Sequence, residues 1–122
     1  MARFEIVRHT RYQEIVVEDE LTMEMFREIM GALIRAERFP ELHALWVFGP
    51  GALPPAFRHF DGMVGLLEKI YARRPLDKRV ALAVPGPFVR SVAELFLVQA
   101  ARLPVQLKIF GSVDDARDWV EG

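Results

Sequence analysis

Two runs constrain this chain more than anything else in it: "HALWVF" at 43–48 and "RVALAV" at 79–84. Each is almost continuously apolar over six residues. That is short for a buried helix, and it lacks the alternation of a strand with one face in water. Such runs read as strands covered on both faces, as in a parallel sheet packed between other elements. Parallel neighbours need long crossover connections, so helices are expected between them.

The intervening segments supply those helices. In "LTMEMFREIMGALIRAER", Thr22 is placed as an N-cap with Glu24 in the first turn. Met23, Phe26, Ile29, Met30, Leu33 and Ile34 form one apolar stripe, and the Phe39-Pro40 step is expected to stop the helix. "FRHFDGMVGLLEKIYARR" puts Phe60, Met63, Val64, Leu67, Ile70 and Tyr71 on a second stripe that Pro75 ends. "PGPFVRSVAELFLVQAARL" gives a third helix with Pro87 in its first turn. "VQLKIF" reads as the last strand and "SVDDARDWVEG" as a short closing helix, capped by Ser112 with Asp115 three residues on. At the start, "RFEIVRH" and "YQEIVVED" are two strands joined by a few polar residues, the pattern of a hairpin. The expectation is one α/β domain over residues 1–122, in the order ββαβαβαβα. It has a mixed, mostly parallel sheet of about five strands and about four helices.

The totals exclude several function classes. Sixteen basic against seventeen acidic residues create no field that would attract nucleic acid or anionic lipid. Without cysteine there is no disulfide framework, thiol nucleophile or thiolate metal site. No apolar stretch approaches the roughly 20 residues of a membrane helix, and the first residues lack the apolar core of a signal peptide. The expectation is a cytoplasmic protein with no integral membrane segment, no nucleic-acid partner, no cofactor and no metal.

The order of elements, and above all "RVALAV", a helix, and then "VQLKIFGSVDDARDWV", resembles the SpoIIAA-like branch of the STAS superfamily. That is the anti-sigma-factor antagonist fold, also described as STAS/Sec14-like. In that branch a closing strand ending in Phe leads into a short acidic helix; here Phe110, Asp114, Asp115, Ala116 and Trp119 hold those places. The resemblance implies a regulatory or protein-interaction domain switched by phosphorylation of a Ser or Thr in the loop after a central strand. That loop is "FGPGALPP" here, and no Ser or Thr occurs between Thr22 and Ser91. The phosphoacceptor role therefore passes to no residue of this loop.

Nor does the loop suit a phosphate. Pro50, Pro54 and Pro55 each remove a backbone N–H, and no Lys or Ser follows as a P-loop requires. It reads as a proline-stiffened turn, with glycines available for positive φ, at the rim of a pocket. Ligands of open α/β sheets settle beyond the carboxyl ends of the strands. The candidate ligand residues there are Gly49, Gly51, Gly86, Arg90, Ser91 and Ser112, for a small anionic or hydrophobic ligand. His9, His43 and His59 fall on separate elements without metal-ligand spacing, and no residue pattern argues for a catalytic set.

The third helix says most about partners. Val89, Val92, Ala93, Phe96, Ala100 and Leu103 face the sheet at about 100° per residue. Leu95 and Val98 then fall in the polar half, with Leu97 on its border. These three are the candidate interface, covered by the chain's own termini, by a second copy in a homodimer, or by another protein partner.

Overall fold

The computed structural model describes residues 3–71, 77–84 and 86–122. Among them are strands β1 (Phe4–Arg8), β2 (Tyr12–Val17), β3 (His43–Phe48), β4 (Arg79–Ala83) and β5 (Gln106–Phe110). The helices are α1 (Met23–Leu33), α2 (Phe60–Tyr71), α3 (Pro87–Ala100) and α4 (Val113–Glu121). The order is ββαβαβαβα, as expected. The strands lie side by side in chain order in one five-stranded sheet. β1 runs antiparallel to β2, and every later pair is parallel.

A sheet that grows in one direction through right-handed crossovers collects the crossover helices on one face. Accordingly α1, α2 and α3 share a layer against Ile15, Val17, Trp46, Val80 and Leu82. On the other face α4 is the one helix among the described residues, setting Ala116 and Val120 against Tyr12, Leu45, Ala81 and Ala83. β4 shows how one strand serves both layers. Val80, Leu82 and Val84 fill the three-helix side, while Ala81 and Ala83 let a nine-residue helix come close on the other.

Local chemistry sets the helix ends. The Met25 N–H donates to Thr22 Oγ1 at 3.1 Å, and the Asp115 N–H donates to Ser112 Oγ at 3.1 Å. The sheet itself caps the far end of α4. Arg79 donates to the Trp119 carbonyl at 2.8 Å and Arg11 to the Glu121 carbonyl at 3.1 Å. These are carbonyls that a helix C-terminus leaves without intrahelical partners, at the end where positive charge is favoured.

Several details depart from the sequence expectations. α1 buries Met25 rather than Met23, and Ile34 is 48% exposed because it stands past the last turn as the C-cap. α1 ends at Leu33, well before the Phe39-Pro40 step, which instead opens a single 3-10 turn at Phe39–Glu41. Ile70 is half-buried while the rest of the α2 stripe is buried. The termination of α2 by Pro75 lies outside the described residues.

The loop after β3 is bound to the β2–α1 connection by backbone hydrogen bonds. The Gly49 N–H donates to the Val17 carbonyl at 2.9 Å, and the Leu21 N–H donates to the Leu53 carbonyl at 3.0 Å. No described glycine has positive φ, so the glycines serve this turn by size rather than by handedness. A Cβ on Gly51 would stand 2.9 Å from the Glu18 carbonyl oxygen.

Two alanine substitutions should therefore act with opposite sign in urea unfolding. Gly51→Ala forces that backbone contact apart and should cost about 1–3 kcal/mol. Gly65→Ala, inside α2 where a Cβ meets nothing within 4 Å, should stabilise by about 0.5–1 kcal/mol.

Candidate functional site

The candidate ligand residues lie in three of the segments that follow the parallel strands at the carboxyl edge of the sheet. Gly49 and Gly51 follow β3 and turn toward Glu18, whose carboxylate and carbonyl oxygens are the atoms their Cβ positions would meet. Gly86 is the N-cap of α3 in extended conformation. Ser112 follows β5 and caps α4. The guanidinium of Arg90 bridges the last two loops, with one nitrogen 3.6 Å from the Cβ position of Gly111. Arg90 thus joins the α3 N-cap, where its N–H donates to the Gly86 carbonyl at 3.0 Å, to the segment just before Ser112, while Gly49 and Gly51 lie against Glu18.

The polar groups of this edge are engaged locally. Ser91 Oγ donates to the Pro87 carbonyl at 2.9 Å, one turn back in the same helix. Ser112 Oγ accepts from the α4 backbone, and Arg90 Nε lies 3.8 Å from Glu94 Oε1. Asp114 and Asp115, in the first turn of α4, add negative charge beside the α4 N-terminus.

Apolar chemistry dominates beneath the same edge. Between α2, α3 and the sheet lies a cavity of about 80 Å3 with an almost wholly apolar lining. Trp46 and Leu82 form its sheet wall, Phe60 and Met63 its α2 wall, and Val92, Ala93 and Phe96 its α3 wall. It reaches the surface beside Pro54, Pro55 and Val89, which are half-exposed. The two prolines of the loop after β3 therefore form part of a pocket rim. A chain of aromatic rings leads inward from there. Phe57 meets Phe60 edge-on at 5.4 Å, and Phe60 meets Phe96 edge-on at 5.4 Å. At roughly 24 cal/mol per Å3, leaving such a volume unpacked costs about 2 kcal/mol.

The outer side of α3 is apolar too. Phe88, Leu95 and Val98 are 68%, 50% and 74% exposed, and no described segment lies over them. Leu97 is half-buried and turns toward Val105 and Leu107 at the β5 edge. Phe88 was not among the interface candidates, although it stands seven residues before Leu95 and so on the same side of the helix.

The histidines stay apart. His9 stacks on Tyr12 with ring centroids 4.3 Å apart, and its Nε2 lies 3.1 Å from Glu14 Oε1. Arg117 reaches the same oxygen at 3.4 Å, so this group ties α4 to the hairpin. His43 Nδ1 accepts the Arg79 N–H at 2.9 Å. Burial, then the charge of Arg79, holds its pKa below the usual histidine value. His59 closes the 3-10 turn before α2.

With this geometry in place, the chain can be set against known proteins. It matches no family of known proteins and no curated protein. Among solved structures it is similar to the crystal structure of an uncharacterised DUF3478-family protein with a SpoIIAA-like fold from Shewanella loihica PV-4. The identity is 20%, the alignment covers 96% of this chain and 91% of that one, and the TM-score is 0.64. The protein has a SpoIIAA-like fold. Among the described residues, no helix is long and apolar enough to cross a membrane.

One buried charge lies away from this edge, in the segment that leads into β4. Lys78 is 2% exposed; its Nζ donates to the Phe39 carbonyl at 3.1 Å and stands 3.5 Å from the centre of the Phe39 ring. Burial lowers its pKa to about 7. Nothing in "DKR" signals this, because a lysine between two charged residues reads as a surface residue.

The sign of the pH effect follows from the two end states. The unfolded chain holds this proton up to about 10.5, while the folded chain releases it near 7. Between those values the unfolded state binds more protons, so stability rises with pH. Below 7 the cost of burying the ammonium is present in full; above 10.5 it is gone. Lys78→Met should remove this slope. The variant's advantage over wild type should be largest below pH 7 and shrink by a few kcal/mol toward pH 10.5, as read from urea midpoints across that range.

Proposed function

We propose that this chain is a non-catalytic SpoIIAA-like interaction domain that associates with a second copy of itself through α3. The observation that carries the reading is the outward apolar stripe of Phe88, Leu95 and Val98. Each such side chain is worth about 1.5–3 kcal/mol when fully buried, so three of them on one helix side favour contact with a partner.

Two further features support a second copy on α3 rather than on the sheet edge. β5 ends the sheet, but Lys108 sits in the middle of that strand. Two β5 strands paired antiparallel about their centres would bring two lysines together, a common way in which edge strands resist pairing. A symmetric contact across α3 repeats the same patch on both subunits, as most homodimers do. The loop after β3 offers no hydroxyl for the superfamily's phosphorylation switch, so regulation of this domain rests on association rather than on that modification.

Sedimentation velocity over a concentration series tests the reading. Wild type should run as a dimer, and Leu95→Glu with Val98→Glu as a monomer with an unchanged far-UV circular dichroism spectrum. A wild-type monomer at every concentration, or a double variant that stays dimeric, would sink it.

A small hydrophobic ligand is the second reading, favoured by the cavity under Pro54 and Pro55. An anion held by Arg90 draws less support, since the neighbouring hydroxyls are engaged and Glu94 lies beside the guanidinium.

A further inference from the structure

The cavity between α2, α3 and the sheet deepens that second reading, because its size and lining narrow what can enter. We infer that it binds a small uncharged apolar molecule, an arene or a compact branched hydrocarbon, admitted beside Pro54 and Pro55.

The lining sets the chemistry. Among the described residues, no charged side chain lines the cavity, and its surface is almost wholly carbon. A carboxylate or phosphate moved there would lose its hydration without gaining a partner, which a free ion cannot sustain. A neutral apolar molecule loses nothing by the same transfer and regains the dispersion contacts that the void denies its walls.

The size sets an upper limit. An apolar cavity of about 150 Å3 takes benzene. At about 80 Å3 this one suits a smaller body as it stands, and a single ring once a wall gives way. The walls differ in how readily they do so. Trp46, Leu82, Phe60 and Met63 are buried, and the first two are held in the hydrogen-bonded centre of the sheet. On α3, Ala93 and Phe96 are only half-buried. A ligand would therefore open the space by displacing α3 outward. The edge-on pair of Phe60 and Phe96 favours an aromatic guest, which can continue the same ring-to-ring geometry. A long acyl chain with its head group fits neither the volume nor the lining.

The test is titration of the intact protein with toluene and, separately, with benzoate, followed by methyl-resolved NMR. Toluene should shift the Leu82, Val92 and Met63 signals saturably, and benzoate should leave them in place. Ala93→Leu fills the cavity from the α3 side and should weaken toluene binding by about tenfold or more. Ala93→Val carries the same comparison if the leucine variant does not fold. Shifts confined to Leu95 and Val98 would mark surface adsorption and overturn the inference. Wild-type affinity in the filled variant, or no saturable shift at all, would do the same. These substitutions lie on the inner side of α3, so the outcome is separate from that of the outer-face dimer test.

Discussion

The central strands are apolar on both faces, and most of the architecture follows from covering them. β3 and β4 carry no polar residue between Ala44 and Val47 or between Val80 and Ala83, so neither face can be left to water. One layer comes from the crossover helices, which the handedness of the connections sends to the same side. The other must come from elsewhere, and α4 supplies it. That helix buries only Ala116 and Val120 fully, too little apolar surface to hold it by burial alone. The arginines on its terminal carbonyls and the Arg117–Glu14 pair complete its attachment. The second layer is thus small, close-fitting and electrostatically fastened, while the first is large and apolar.

That asymmetry explains where the cavity and the exposed apolar residues lie. On the α4 side, the alanines of β4 and Ala116 let the helix lie close to the sheet. On the three-helix side, long and aromatic side chains from α1, α2, α3 and three strands converge, and their shapes leave a cavity near the carboxyl edge. α3 stands at the end of that layer, and among the described residues it packs beside α2 and the β5 edge. It accordingly shows apolar residues on two sides: the inner ones wall the cavity, and the outer ones face solvent. The two binding readings for this protein are properties of one helix at the margin of its core.

The polar candidates illustrate how a resemblance and a motif can diverge from chemistry. The resemblance draws attention to the loop after β3 as a place for a phosphoacceptor, yet the loop holds glycine and proline and no hydroxyl. In the structure those residues provide a tight backbone approach and an apolar rim. Ser91 and Ser112 look available in sequence, but each satisfies a backbone group of its own helix. Short hydroxyl side chains near helix ends do this because the unpaired backbone groups are closer than any ligand.

The order of elements, the sidedness of α3 and the lack of Ser or Thr in the loop after β3 were legible in the sequence. Each depends on local spacing: continuous runs make buried strands, an apolar period of 3.6 makes a helix stripe, and a missing residue type is missing in any fold. Boundaries were less legible, as with Met23 and Ile34, since the last residue of a stripe is decided by what the neighbouring element covers. The cavity and the burial of Lys78 could not be read at all. A void is the volume left over when side chains from several distant segments meet, and no segment records it. Likewise Lys78 is buried because Phe39, thirty-nine residues earlier, brings its ring and carbonyl to it. Local pattern determined the elements and their faces; only the tertiary structure decided what those faces enclose, because enclosure depends on contacts between segments far apart in the chain.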